Sequence, residues 1–320
     1  MAQRVAADRE VRAKSRAGRK RRTESRVGHF RAGGVVSRAD ASGINSDGLY
    51  KDPTVYDILH EPGTDAEIRM LERVWWRVSA ESPRTALEPA CGTGRYLARM
   101  ARAGWAVRGF DIDPATVKFS QERLRAQNTS GWRVWADRFD TFGGRIKAGS
   151  IGLAFCPINS IRHVSSDAEL VRHLKAIRRV LAPNGVYAVG ISLSAYGLEA
   201  PTEDVWSGSR RGVRIKQVVS YTPAAGGGNR RNRAERVDSV LEIRQRGRVE
   251  IRSSSYSLLS YSREQWEAAI AKSGMRTIGM VNEFASEFDP GRIGYAIWLL
   301  ATPEHPLAGK QGIRGLRRSD

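Results

Sequence analysis

The chain has 320 residues, 41% of them hydrophobic, which is enough for one large globular domain, or one domain with an embellishment, around a buried core. Its two cysteines, Cys91 and Cys156, lack metal-ligand spacing, which excludes a disulfide framework and a zinc site and implies two reduced thiols. No apolar run approaches the roughly 18 residues that a bilayer crossing needs, and charged residues fill the place of a signal-peptide core, so a soluble cytoplasmic protein is expected. The net charge of +19 leaves a nucleic-acid partner open, but it is unevenly spread: residues 1–40 and 207–252 each carry twelve Lys and Arg against four Asp and Glu.

Residues 1–45 are rich in Arg, Ala, Gly and Ser and predict a disordered basic tail. A helix is expected over 64–79, opened by the capping pair Thr64 and Glu67, with Ile68, Leu71, Trp75 and Val78 on one face. The chain then alternates, with strands expected at 85–90, 106–111, 132–136, 151–156 and 185–193 and helices at 94–103, 114–126 and 167–181. Asp113-Pro114 and the pair Ser166 and Glu169 mark two of the helix starts. This pattern predicts a parallel α/β sheet in a core spanning 46–202.

Over 203–259 the periodicity changes to strict alternation, as in Val213, Ile215 and Leu241, Ile243, with a turn at Arg246-Gly247, and an antiparallel insertion is expected there. Ser262 and Gln265 then cap a helix running to Ser273, and strands near 275–283 and 294–301 complete the core over 260–303, ahead of a basic tail at 304–320.

At the junction of the first strand and its helix stands Leu87-Glu88-Pro89-Ala90-Cys91-Gly92-Thr93-Gly94-Arg95, where glycine permits a tight turn and close approach to a ligand. A dinucleotide fingerprint requires a third glycine where this chain has Leu97, and no G-x-x-x-x-G-K-[ST] phosphate loop occurs. The run instead resembles motif I of class I S-adenosylmethionine-dependent methyltransferases, with Glu88, Ala90, Gly92 and Gly94 in the places of the acidic residue and the small-x-Gly-x-Gly turn. The resemblance implies a Rossmann-like seven-stranded methyltransferase sheet, with the antiparallel insertion after strand 5 serving as a substrate lid. It implies S-adenosyl-L-methionine as the cofactor.

Further site residues follow from the same resemblance. Asp111, 17 residues after Gly94, would bind the ribose hydroxyls, Ile112 would lie against the adenine, and Asp137 would meet the adenine amino group. Cys91 and Cys156 would edge the pocket, Cys156 with Pro157 beside the methionine moiety, and Tyr56 with Tyr50 would close the N-terminal segment over the cofactor. Asn159 and His163, after the fourth strand, are the candidates for orienting a substrate or accepting its proton.

The expected reaction is methyl transfer to an N or O atom of a small molecule. An RNA or protein methyltransferase is the alternative, favoured by Arg210, Arg211, Arg214, Arg230, Arg231 and Arg233, although the last three follow Gly226-Gly227-Gly228 and read as a solvated loop. A non-enzymatic cofactor-binding regulator is the third. No membrane association is expected, and composition does not set the oligomeric state.

Overall fold

A computed structural model of the protein describes residues 48–289 and 294–309; the expected tail at 1–45 and residues 310–320 of the other lie outside the described residues. In chain order the elements are α1 (Pro53–His60), α2 (Thr64–Val78), β1 (Thr85–Pro89), α3 (Arg95–Arg102), β2 (Ala106–Asp111), α4 (Pro114–Arg125), β3 (Trp132–Ala136), β4 (Ile151–Cys156), α5 (Asp167–Val180) and β5 (Leu181–Ser192). There follow β6 (Thr202–Arg210), β7 (Val213–Thr222), β8 (Ala234–Gln245), β9 (Arg248–Leu259), α6 (Arg263–Ser273), β10 (Arg276–Val281) and β11 (Tyr295–Ala301).

Seven strands form one sheet in the order β10-β11-β5-β4-β1-β2-β3, parallel except where β11 runs against β5 and β10. All six residues of β4 are buried, as a central parallel strand covered on both faces requires. The strand order reverses between β1 and β4, so the carboxyl ends of β1, β2 and β4 open on the crevice where such sheets bind ligands. No helix among the described residues is long and apolar enough to cross a membrane.

The insertion is a separate four-stranded antiparallel sheet, β6-β7-β8-β9, as the alternation predicts. Its hairpins turn at Arg211-Gly212 and Arg246-Gly247, with φ of 49° and 81° at the first pair and 49° and 75° at the second, the twist-matched geometry of two-residue loops. Ile215, Leu241 and Ile243 on its inner face pack on Val55, Ile58 and Leu59 of α1. The contact is close because Gly208 has no side chain: a Cβ there would stand 2.3 Å from the Ile58 carbonyl oxygen.

Two local expectations change. Helix α1 has no counterpart in the sequence reading, yet Asp52 caps it by accepting the amides of Thr54 and Val55, with Pro53 at its first position. Thr64 and Glu67 do not cap α2, whose N-cap is Gly63 in the left-handed region. Thr64 Oγ1 instead donates to the Glu61 carbonyl and accepts from Arg95, and Glu67 forms a buried ion pair with Arg95 at 2.8 Å. The sequence pattern is local, whereas these partners lie across the fold.

Candidate functional site

The turn after β1 is built on left-handed backbone at Ala90, Gly92 and Gly94, with φ of 52°, 53° and 67°. Ala90 holds this conformation against a penalty of roughly 1–2 kcal/mol. A side chain at Gly94 would have to displace Ser120 of α4, whose Oγ lies 2.1 Å from where that Cβ would stand. The turn is pinned to the end of β2 by the Cys91 amide donating to the Phe110 carbonyl at 2.9 Å, and by the Gly92 amide donating to Asp111 Oδ2 at 2.9 Å. Asp111 Oδ1 accepts the Asp113 amide at 3.2 Å. Burial pushes the Asp111 carboxyl up, and these amides pull it down by less.

A cavity of about 500 Å³ opens over this turn, and Tyr56, Glu88, Ala90, Cys91, Gly92, Asp111, Ile112 and Asp137 all line it. Glu88 forms its floor. It is 3% exposed, and its Oε2 has no hydrogen-bond partner among the described residues. Burial drives its carboxyl well above the usual range, with Arg95 opposing and Asp111 and Glu67 reinforcing. Asp137 is held otherwise, accepting from Thr141 Oγ1 at 2.6 Å, the Arg138 amide at 2.9 Å and Trp135 Nε1 at 3.0 Å. Burial raises its carboxyl, but these bonds and Arg145 outweigh that and hold it low. Ile112, 67% exposed, presents an apolar side chain to the opening.

Three of the expected site residues do not line the cavity. Gly94 shapes the turn from beneath. Cys156 is fully buried on the opposite face of the sheet, beside Tyr187, and burial pushes its thiol up to about 12. Asn159, in left-handed conformation at φ 60°, has its amide engaged with Ser192, accepting from the backbone N–H at 2.6 Å and donating to Oγ at 3.1 Å. It fixes the loop after β4 onto β5.

His163 does line the cavity. Its ring stacks on Tyr256 of β9 at 5.7 Å and meets Tyr50 edge-on at 5.6 Å. Protein surrounds it although solvent reaches it through the opening, and this desolvation, with Arg162 adjacent, lowers its pKa to about 4. Tyr56 lies against Gly92, where a Cβ would meet its ring at 3.5 Å, and burial raises its phenol to about 12.

Behind Tyr56 lies a residue that sequence reading passes over. Asp57 is fully buried and accepts Thr93 Oγ1 of the glycine turn at 2.8 Å, Arg210 Nη1 of β6 at 2.6 Å, and Arg123 of α4. Its signal is indirect: Asp52-Pro53 repeats the cap-and-proline signature of Asp113-Pro114, and a helix there would place Tyr56, Asp57 and His60 near one another.

The insertion's arginines divide. Arg211, Arg214, Arg230 and Arg231 are exposed, Arg210 is shared between Asp57 and Glu61, and Arg233 is 5% exposed in a bidentate pair with Asp167 at 2.8 and 3.0 Å. The expectation that Arg233 belongs to a solvated loop is therefore corrected. Its side chain also reaches the Ser260 carbonyl, which closes the loop onto the core.

Residues 86–185, from β1 into β5, match a family model described as "Methyltransferase domain". A curated relative, "Putative methyltransferase YqeM" of Bacillus subtilis, is 26% identical over 113 residues, covering 35% of this chain and 44% of its own length, so the match spans less than half of that protein. Among solved structures, a S-adenosylmethionine-dependent methyltransferase from Clostridium acetobutylicum superposes with a TM-score of 0.61 at 13% identity, over 78% of this chain and 96% of its own. The sugar N-methyltransferase KedS8 from Streptoalloteichus superposes at 0.58 with 22% identity, over 85% and 99% respectively.

Proposed function

We propose that this chain, whose residues 86–185 match a methyltransferase-domain model, is an S-adenosylmethionine-dependent methyltransferase acting on an N or O atom of a small molecule. Asp111 carries this reading. A carboxylate offers about four lone-pair sites. The amides of Gly92 and Asp113 bond one Asp111 oxygen each, and the carboxylate lines the cavity, where its remaining acceptor capacity suits a vicinal diol such as a ribose. Glu88 fits the same ligand at its other end, because a buried carboxylate oxygen without a partner is an acceptor for an ammonium group. The bare Gly92 lets a ligand approach the backbone, and Ile112 offers an apolar surface for a flat base beside Asp137.

When bound, the cofactor supplies an activated methyl group on a sulfonium. The chain's own part is alignment and exclusion of water. Tyr56 covers the glycine turn, Asn159 fixes the loop carrying His163, and His163, neutral at pH 7, lines the cavity beside Tyr50. The insertion serves as the lid, bringing Tyr256 to His163 and clamping α1 through Arg210.

A small acceptor is favoured over RNA because the cavity is bounded and because Arg210 and Arg233 are already ion-paired, which leaves fewer cations for phosphate. Titration calorimetry tests the proposal. Wild type should bind S-adenosylmethionine, and Asp111→Ala should weaken binding by about 1.5–3 kcal/mol. Absence of wild-type binding overturns it, and binding without methyl transfer to any metabolite fraction would point to the regulator reading.

A further inference from the structure

We infer that the methyl acceptor is an amine nitrogen, whose ammonium product is held against an uncharged aromatic wall formed by Tyr50, Tyr56, His60 and His163; the inference rests on the methyltransferase reading above. The wall is continuous. Tyr50 lies 6.0 Å from Tyr56, and Tyr56 lies 4.4 Å from His60 between ring centroids. The insertion holds it from behind at both ends, with Tyr256 at 5.5 Å from Tyr50 and Trp206 at 5.7 Å from His60. These four rings, with Pro53, Pro157, Ile158, Ser160 and Ser165, make the part of the cavity drawn from α1, the turn before it and the loop after β4, and none carries a formal charge at neutral pH.

Such a surface discriminates by charge through the ring quadrupoles, whose negative faces attract a desolvated cation. An amine delivers that cation. Its lone pair forms the N–C bond while the methyl's bond to sulfur breaks, the electron pair stays on sulfur, and nitrogen becomes positively charged until any remaining N–H proton passes to water. An aliphatic amine, protonated at neutral pH with a pKa of about 10, first gives one proton to water, which takes no buried base.

A hydroxyl acceptor must lose its proton to become comparably nucleophilic, and this wall holds no base matched to that task. Its nitrogen bases are His60 and His163, both lowered to about 4 by desolvation. Of the cavity's carboxylates, Asp137 is held by four donors, Glu169 by Ser165, Asp111 by the amides of Gly92 and Asp113, and Asp113 by Thr116, while Glu88, whose Oε2 has no partner among the described residues, lies under the glycine turn and is no part of this wall.

The experiment compares choline with its uncharged isostere 3,3-dimethylbutan-1-ol as probes of equal shape, by calorimetry on the full chain saturated with S-adenosylhomocysteine. Wild type should prefer choline by about tenfold. Tyr50→Phe, which keeps the π face, should retain the preference, and Tyr50→Leu, which keeps apolar bulk, should reduce it severalfold; Tyr50 is 48% exposed, and matched melting temperatures would establish that both variants fold. Equal affinities for the two probes, a preference unchanged in Tyr50→Leu, or a labelled methyl found on oxygen in the natural product overturns the assignment. Cofactor binding without choline preference defeats the amine inference alone, whereas absence of cofactor binding defeats both it and the reading beneath it.

Discussion

Asp57 and Arg210 are separated by 153 residues of chain and by 2.6 Å in space, and their contact fastens the insertion sheet to the helix that walls the cavity. Because Asp57 also accepts from Thr93 and Arg123, one buried carboxylate joins the glycine turn, α1, α4 and β6. Burial pushes its carboxyl up, but Arg123, Arg210 and Thr93 outweigh that and keep it ionised. Asp57→Asn therefore leaves Arg123 without its counter-charge and Arg210 with Glu61 alone, and the expected loss of stability is about 3–5 kcal/mol. Arg210→Ala should lose less, since its side chain is one-third exposed. Denaturant titration decides it; an Asp57→Asn protein as stable as wild type would sink the argument.

The second prediction concerns how the lid seats. With the Ile58 carbonyl 2.3 Å from where a Cβ would stand, Gly208→Ala must push β6 away from α1, because a backbone carbonyl cannot rotate aside as a side chain can. The expected destabilisation is about 1–3 kcal/mol. It should be accompanied by faster proteolysis within 202–259, while Gly212→Ala, at a hairpin turn with no atom within 4 Å, should lose only the strain of its φ of 81°. Equal proteolysis of the Gly208→Ala variant and wild type would show that the close approach is not required.

The sheet is legible in the sequence because its signals are local. Unbroken apolar runs such as Ile151–Cys156 mark central strands, Asp113-Pro114 and Ser262-Gln265 mark helix starts, and Arg246-Gly247 marks a hairpin; each lies where expected. The glycine turn and Asp111 are legible for the same reason, through fixed spacing on consecutive strands. What local pattern does not supply is the partner of a polar side chain. Asn159 reads as a substrate contact until Ser192, 33 residues on, takes both ends of its amide. Glu67 reads as a helix cap until Arg95 claims it, and Cys156 reads as a pocket edge although strand alternation turns it into the core.

Acid should destabilise the fold through His173. Its ring is fully buried, with Nδ1 donating to the Phe139 carbonyl at 2.9 Å and Nε2 accepting from the Tyr187 hydroxyl at 2.8 Å. Desolvation lowers its pKa to about 4, with the Phe139 bond opposing. The unfolded chain, with an ordinary histidine near 6.5, takes up the proton first, so the contribution is intact above that pH and is lost progressively as pH falls towards 4. Between pH 7.5 and 5 the expected loss is about 2 kcal/mol from this group. His173→Gln, which can keep one donor and one acceptor, should show a shallower decline over that interval; parallel pH profiles for the two proteins would refute the assignment.

The last prediction separates charge from structure among the insertion's arginines. Arg230 and Arg231 are exposed, and replacing each with Ser should change the melting temperature and cofactor affinity little. Arg233 differs because its guanidinium, 6% exposed, bridges Asp167 at the start of α5 and the Ser260 carbonyl, and lies 4.8 Å from the Tyr261 ring. Removing it strands the buried Ser260 carbonyl and releases the loop from α5, for an expected loss of about 2–3 kcal/mol. A triple Ser variant would therefore lose function by unseating the insertion, whatever the acceptor, and would be misread as loss of a phosphate contact. Single variants resolve this. If Arg233→Ser retains wild-type stability while Arg230→Ser or Arg231→Ser weakens acceptor binding in a steeply salt-dependent way, the exposed cations are contacting an anionic macromolecule, and the small-molecule reading fails.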